Sequence, residues 1–104
     1  MLYNQVCHAL GDPKRLMILY TLAGGPKCVN DIAAELATPQ PTVSRHLKIL
    51  RERALVETTR DGTTVYYALT DERLIQALDL LRGILRDRLL KQVRVVESQM
   101  TGAL

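Results

Sequence analysis

The stretch 40–53, QPTVSRHLKILRER, constrains the fold of this chain more than any other segment. Val43, Leu47 and Leu50 recur at the spacing i, i+4 and i+7, which is the spacing of one apolar stripe on an α-helix. The stretch is therefore predicted to form a helix that packs this stripe against a core.

The other side of the predicted helix is polar and basic. On a helical wheel Arg45 and Lys48 project opposite the apolar stripe. Thr42 and Ser44 lie on the flanks, and His46 lies closer to the stripe. Such a face is either a contact surface or an ordinary solvated helix face, and the neighbouring segments help to decide between the two.

The formal charge of the chain is concentrated around this helix. Residues 39–60 contain five basic and two acidic side chains, a net charge of +3. The whole chain has 14 basic and 11 acidic residues, also a net +3, so the remaining residues balance. A short segment that holds all the excess positive charge is typical of a phosphate-binding surface, and the pI near 9.1 agrees with a polyanionic partner.

The composition is that of a globular protein. The 104 residues, 47% hydrophobic and 24% charged, are expected to form a single domain, 1–104, with a modest core. No signal peptide or membrane-length apolar run is visible, which predicts a cytoplasmic protein without a membrane partner. Cys7 and Cys28 do not make a disulfide framework, so they are expected to be reduced thiols.

Two helices are predicted before the first glycine-rich turn. Residues 2–10 form a short amphipathic pattern that ends at Gly11. Asp12 is a good N-cap and Pro13 suits the first position of a second helix, which is predicted over 13–23 and stopped by the GGP sequence that follows.

The next helix is predicted to begin near Cys28. Asp31 follows three residues later, where a capping-box acid can reach back to the first amides. Residues 38–41 then form a turn into the basic helix. Two short helices joined by a tight turn, the second of them basic, are a helix-turn-helix arrangement, here over about 28–53.

After the basic helix the period of the pattern changes to two, which predicts a β-hairpin over about 56–69. Asp61-Gly62 between two β-branched runs is typical of a two-residue hairpin loop. Arg60 and Thr63 lie at the tip, so the hairpin is predicted to be a wing that contacts DNA phosphate or the minor groove, with an inert surface hairpin as the alternative. One face of the hairpin is predicted to carry Val56, Thr58, Val65, Tyr67 and Leu69.

A long last helix is predicted over about 71–99. Its apolar stripe is broad for so small a domain, which predicts that part of it packs against a second copy of the chain, while packing within one chain is the alternative. The stripe consists of Leu74, Ile75, Leu78, Leu81, Ile84, Leu85, Leu89, Val93 and Val96.

The order of these segments resembles the ArsR-type (arsenic-repressor) family of winged helix-turn-helix regulators. The resemblance is carried by LGDPKRL at 10–16, QPTVSRHLKIL at 40–50, and Gly62 with VYY at 65–67. It implies a mainly α fold with a small β-hairpin, in the order α-α-α-α-β-β-α. It also implies a homodimer built through the helices at about 2–10 and 71–99, which binds a palindromic double-stranded DNA operator until an inducer or an oxidant releases it. One departure is Pro39, which offers no cap where family members often carry Ser, and Thr38 is expected to substitute in part.

The DNA contacts are expected on the basic helix and at the wing tip, where side chains can reach base edges and phosphates. The candidate residues are Gln40, Thr42, Ser44, Arg45, His46, Lys48, Arg60 and Thr63.

The resemblance also raises the question of a sensing site. An arsenic-type site in the family reads Cys-Val-Cys-Asp, whereas this chain has CVND at 28–31, so the second thiol is missing. Cys28, Asp31 and Cys7 remain candidates for a thiol switch or for a soft metal or trivalent arsenical. The alternative is that Cys28 is a mediocre helix cap and Cys7 a core residue. The last helix has no His, so a second type of family metal site is expected to be absent.

Other functions remain open at this point. A winged-helix module that binds another protein instead of DNA is one alternative, and a repressor without any small-molecule inducer is another. An enzyme is not expected, because the sequence shows no glycine-rich phosphate loop, paired carboxylates or nucleophile with a base.

Overall fold

A computed structural model describes the backbone of residues 10–102 and the side chains of residues 10–92. Two compact units divide between Glu72 and Arg73, and each is described by itself. The predicted helix over 2–10 lies outside the described residues except for Leu10. The single-domain organisation stays a prediction.

The first unit contains three helices and a small antiparallel sheet, and the second unit contains one long helix. In chain order the elements are α1 (Pro13–Leu22), β1 (Lys27–Cys28), α2 (Val29–Glu35), α3 (Gln40–Glu52), β2 (Val56–Asp61), β3 (Thr64–Leu69) and α4 (Arg73–Gly102).

Helix α1 begins as its sequence predicts. The Asp12 carboxylate accepts a hydrogen bond from the backbone N–H of Lys14 at 2.8 Å, and Pro13 occupies the first turn. This hydrogen bond stabilises the ionised carboxylate and lowers the pKa of Asp12. The helix ends at Leu22, one residue before the predicted end.

Strand β1 was not predicted from the sequence. Lys27 pairs with Tyr67 and Cys28 pairs with Tyr66, so that β3 lies in the middle of a three-stranded sheet of order β1-β3-β2. Two residues are too few to show a period of two, and only the tertiary pairing reveals them. Cys28 is therefore both the end of β1 and the N-cap of α2, where its side chain makes no capping hydrogen bond.

The turn between α2 and α3 is closed by a left-handed residue. Ala37 has a φ of +48°, and the N–H of Thr38 donates to the Ala33 carbonyl at 3.0 Å. The N–H of Ala37 donates to the Ala34 carbonyl at 3.3 Å. These two bonds form a Schellman motif, which satisfies the last carbonyls of α2 and turns the chain toward α3.

Helix α3 ends in the same way. Ala54 has a φ of +61°, its N–H donates to the Arg51 carbonyl, and the N–H of Leu55 donates to the Leu50 carbonyl, both at 3.0 Å. Glycine is usual at such positions, because a Cβ is disfavoured at positive φ. In both motifs of this chain the residue is alanine.

The hairpin forms, but its loop lies one residue later than predicted. Asp61 pairs with Thr64, so the two-residue loop is Gly62–Thr63 and not Asp61-Gly62. Gly62 has a φ of +64° at the first loop position, as a II′ turn requires. Moving the loop by one residue shifts the pairing by two, so the predicted face is preserved and Thr58 lies opposite Tyr67.

The core of the first unit is aliphatic. Helix α3 packs against α1, α2 and β2, and the three residues of its apolar stripe are buried. The buried apolar residues are Ile18, Leu19, Leu22, Ile32, Val43, Leu47, Leu50 and Val56.

Helix α4 begins at Arg73, two residues after the predicted start. Many of its apolar side chains are exposed in the single chain: Leu80, Leu81, Ile84, Leu85, Leu89 and Leu90 are 50–70% exposed. None of the helices among residues 10–102 is both long and apolar enough to cross a membrane.

Candidate nucleic-acid interface

Helix α3 has one buried face and one basic face. Val43, Leu47 and Leu50 are fully buried, as the apolar period predicts. Arg45 and Lys48 are exposed on the other side. The core thus determines the rotation of the helix about its axis, and this rotation presents the basic side chains to solvent.

Some of the polar candidate residues on α3 are also exposed. Gln40 at the start of the helix and Ser44 one turn later are exposed, and Thr42 is half-buried. Arg51, which was not among the candidates, is exposed in the last turn. The exposed side chains therefore follow the full length of α3.

His46 differs from the other candidate DNA contacts on α3, because its side chain is buried. Only 8% of its surface is exposed, and it faces the side of α3 that packs on the core. Burial lowers the pKa of His46, so the imidazole is neutral near pH 7. The sequence already places His46 close to the apolar stripe of α3, and its burial follows from that place on the helix.

The expectation that Thr38 partly substitutes for the missing cap at Pro39 is wrong, because Thr38 makes no capping hydrogen bond to α3. Its hydroxyl donates to the Leu36 carbonyl at 2.9 Å and accepts a hydrogen bond from Lys14 Nζ at 3.2 Å. Pro39 is the N-cap residue and has no capping side chain. Thr38 instead links α1 to the turn of the helix-turn-helix.

The start of α3 and the wing tip line one cleft of about 330 Å³. Gln40 contributes from α3, Thr63 and Thr64 contribute from the hairpin, and Asn30 contributes from the first turn of α2. Asn30 and Thr64 were not singled out in the sequence, because only the tertiary fold brings their segments together. Among the described residues, the lining carries no charged side chain and combines these polar residues with Val29 and Val65.

The basic side chains lie along α3 and near the end of β2. Arg60 is exposed on β2, one pair before the end of the strand, and Thr63 is exposed in the loop. Arg45, Lys48, Arg51 and Arg60 are all exposed, whereas Arg53 is partly covered and its Nε is buried without a hydrogen-bond partner.

The candidate sensing residues do not form a metal site within the described part of the chain. Cys28 is partly exposed and lines the same cleft, while Asp31 is exposed on α2. No group of three or more His, Cys, Asp or Glu side chains suited to a metal occurs among residues 10–92. Cys7 lies outside the described residues.

A helix-turn-helix whose second helix exposes a basic face, followed at once by an antiparallel hairpin, defines a winged helix-turn-helix DNA-binding protein. The family model described as "Bacterial regulatory protein, arsR family" matches residues 12–58. A helix-turn-helix transcriptional regulator from Methanocaldococcus jannaschii is 42% identical over 78 residues, which cover 74% of this chain and 88% of the relative. The chain belongs to the ArsR family and is a helix-turn-helix transcriptional regulator.

Two further relatives show how far the similarity extends. The regulator KmtR of Mycobacterium tuberculosis is 42% identical over 72 residues, 69% of this chain, and the match spans 55% of KmtR. A homodimeric winged helix-turn-helix DNA-binding domain from Mycobacterium bovis superimposes with a TM-score of 0.76 at 32% identity. That match covers 85% of this chain and 82% of the domain. The winged fold thus agrees with solved structures over most of its length.

Proposed function

We propose that the chain acts as a homodimeric repressor that places α3 in the major groove of a palindromic operator. The observation that carries this proposal is the division of α3 into a buried face and an exposed face. Arg45 and Lys48 lie on the exposed side, and the core holds the helix through Leu47. An arginine on such a face can donate two hydrogen bonds to a guanine edge.

The wing supplies the second contact in this proposal. Arg60 and Thr63 are exposed near the tip, and Thr63 lines the same cleft as Gln40 of α3. Base edges in the groove lie between two phosphate backbones. A helix in the groove therefore brings a neighbouring hairpin close to a backbone, where Arg60 is assigned to phosphate and not to a base.

The dimer is proposed from the exposed apolar side chains of α4. Leu81, Leu85 and Leu89 are 53%, 60% and 61% exposed in the single chain. Full burial of one such side chain stabilises an interface by roughly 1.5–3 kcal/mol, so a few pairs are enough for a stable dimer. The similar domain from Mycobacterium bovis is homodimeric, which supports a dimer for this chain. Binding to chromosomal DNA would place the protein in the cytoplasm.

Dimerisation is tested by Leu85→Glu, which puts a charge into the proposed interface. Analytical ultracentrifugation should show a dimer for the original chain and a monomer for the variant. Leu80→Glu is the control, since Leu80 lies away from the predicted stripe although it is 70% exposed. Equal dissociation by both variants, or by neither, contradicts the proposed interface.

DNA binding is tested by fluorescence anisotropy on fragments of the protein's own promoter. The expected result is tight binding to one fragment, weak binding to a scrambled fragment of the same length, and a linear fall of log K with log salt concentration. Absence of binding to any duplex at low salt would favour the alternative of a winged-helix protein-interaction module.

Release of the operator by an inducer or by thiol modification is a separate part of the proposal. Cys28 lines the cleft between α3 and the wing, so an adduct on its sulfur would occupy space that the DNA approaches. Cys7, Cys28 and Asp31 are the proposed ligands for a soft metal or a trivalent arsenical. Operator binding is compared for the reduced protein, the oxidised protein and the protein with Zn(II), Cu(I) or arsenite, each beside Cys28→Ser and Cys7→Ser. If operator binding is the same under all of these conditions, the proposed thiol-linked release is wrong and the chain is a repressor without such an inducer.

A further inference from the structure

A second cluster of polar side chains lies on the buried side of α3, opposite the proposed DNA contacts. There a cavity of about 60 Å³ opens between α1, the turn of the helix-turn-helix and α3, and we name it the α1–α3 cavity. Its polar lining is Lys14, Thr38 and His46. This volume has room for about four to six water-sized groups.

The remaining lining is apolar. Met17 and Ile18 of α1, Leu36 of the turn and Val43 of α3 form this part of the wall. Ile18 and Val43 are fully buried, whereas Met17 is 53% exposed and lies where solvent can reach the cavity. The cavity therefore has the two-sided chemistry of a small amphiphilic ligand site, with few polar groups and an apolar wall.

The polar side of the cavity contains an unused hydrogen-bonding group. Lys14 Nζ donates to Thr38 Oγ1 at 3.2 Å and retains further N–H groups. His46 Nδ1 is buried without a hydrogen-bond partner among the described residues. Buried polar atoms in folded proteins nearly always have a partner, so this atom marks a place where a bound polar group can be accommodated.

The charged lining of the cavity is cationic. Asp12 is the main negative influence on the imidazole of His46, and Arg15 is among the positive ones. The Asp12 carboxylate is already held by the N–H of Lys14 at the start of α1. Lys14 is the charged group in the lining of the cavity, so the lining itself favours an anion.

We propose that the α1–α3 cavity binds a small organic monoanion, a short-chain carboxylate, and that its occupancy changes the affinity of α3 for DNA. The carboxylate contacts Lys14, and the alkyl chain lies against Met17 and Val43. Propionate and butyrate have about the number of heavy atoms that the volume holds. The second half of this proposal rests on the proposed operator binding, and the first half does not.

The coupling follows from the walls of the cavity. Val43 and His46 line the cavity, and their neighbours in sequence, Ser44 and Arg45, are exposed on the proposed DNA-contacting side. A ligand between α1 and α3 that moves Val43 also moves Arg45, because both belong to one rigid helix. Linkage requires that a ligand which weakens DNA binding is itself bound less tightly by the DNA complex.

The test is an NMR titration of the DNA-free protein with formate, acetate, propionate, butyrate and hexanoate at constant ionic strength. Saturable shifts of the amides of Thr38 and His46 are expected, with the tightest binding for propionate or butyrate. Butanol and butylamine, which keep the chain but not the negative charge, should bind more weakly. Absence of saturation for every carboxylate overturns the proposal.

Two variants separate the ligand site from a general salt effect. Lys14→Met keeps an unbranched side chain and should weaken butyrate at least about tenfold, because a charge-assisted hydrogen bond is lost. Lys91→Met removes an exposed lysine from α4 and should leave butyrate binding unchanged. Met17→Phe should obstruct the cavity without altering its charge. Equal binding by all three variants overturns the assigned site, and circular dichroism confirms that each is folded.

The regulatory half is tested by operator binding with and without saturating butyrate. A change in affinity for the original chain that is absent in Met17→Phe supports it. Carboxylate binding that leaves operator affinity unchanged refutes the coupling alone. Failure of the chain to bind any operator refutes the proposed function, while the titration of the DNA-free protein still decides the existence of the site.

Discussion

The replacement Arg60→Ala tests the assignment of the wing to a phosphate contact. Arg60 is exposed on the hairpin, one pair before the last pair of the strand ladder, where its removal disturbs no described hydrogen bond or ion pair. A homodimer carries two copies of this arginine. If each copy neutralises one phosphate, the salt slope of log K should fall in magnitude by about 1.8, since each contact contributes about 0.9.

This change in slope has a direct numerical consequence. Between about 50 mM and 200 mM salt, a slope difference of 1.8 corresponds to about a twelvefold change in the ratio of the two affinities. The ratio of the DNA affinity of the original chain to that of the variant should therefore be roughly twelve times larger at the lower salt concentration. The deficit should be nearly the same for operator and scrambled DNA, because phosphates carry no sequence information.

The assay is fluorescence anisotropy at several salt concentrations, with protein concentration high enough to keep the dimer. Arg88→Ala is the matched control, because it removes an exposed arginine from α4. A slope that Arg60→Ala leaves unchanged refutes the phosphate assignment. A loss confined to the operator would show instead that Arg60 reads base edges.

Three further predictions concern α3 and its ends. Arg45→Ala should cost about 1–3 kcal/mol on the operator and less on scrambled DNA, as measured by the same anisotropy assay, and a loss of only a few tenths would exclude base contact. Ala54→Gly should stabilise the fold by about 0.5–1 kcal/mol in urea unfolding, because the φ of +61° is strained for alanine, whereas Ala77→Gly in the interior of α4 should destabilise it by a similar amount. Ala37→Gly should stabilise the fold for the same reason, and the argument fails if neither Ala37→Gly nor Ala54→Gly does so. Burial lowers the pKa of His46 below 6.5, so its contribution to stability is complete above about pH 6.5 and is lost as the pH falls through the interval between the unfolded and folded pKa values. Urea unfolding at several pH values should show this loss, and His46→Gln should flatten it. The lowered pKa of Asp12 also contributes to stability, but this contribution is lost only as the pH falls below 3.8, so the two effects occur in separate pH ranges.

Local patterns predicted most of the elements correctly. The Asp12-Pro13 start, the stripe of α3 and the two faces of the hairpin depend on neighbours a few residues apart, and each is confirmed. The exposure of Arg45 and Lys48 follows from the same stripe, since residues opposite a buried face must meet solvent. The period alone thus located the main candidate contacts.

Predictions that depended on distant segments were less successful. Strand β1 exists through its pairing with Tyr66 and Tyr67, nearly forty residues away, and two residues have no period of their own. Thr38 was expected to cap α3, but Lys14 from α1 reaches its hydroxyl. His46 is a candidate DNA contact by its place on the basic helix, whereas the tertiary structure buries it in a cavity lined by α1 and the turn.

The sequence by itself determined which segments are helical, which face of α3 is apolar and where the excess positive charge lies, because these properties depend on residue type and short-range spacing. The tertiary structure alone decided which side chains share a site. It brought Asn30, Gln40 and Thr63 to one cleft and enclosed Lys14, Thr38 and His46 around another. The physical reason is that packing α1 against α3 and pairing β1 with β3 join segments far apart in the chain, and no local pattern records those distances.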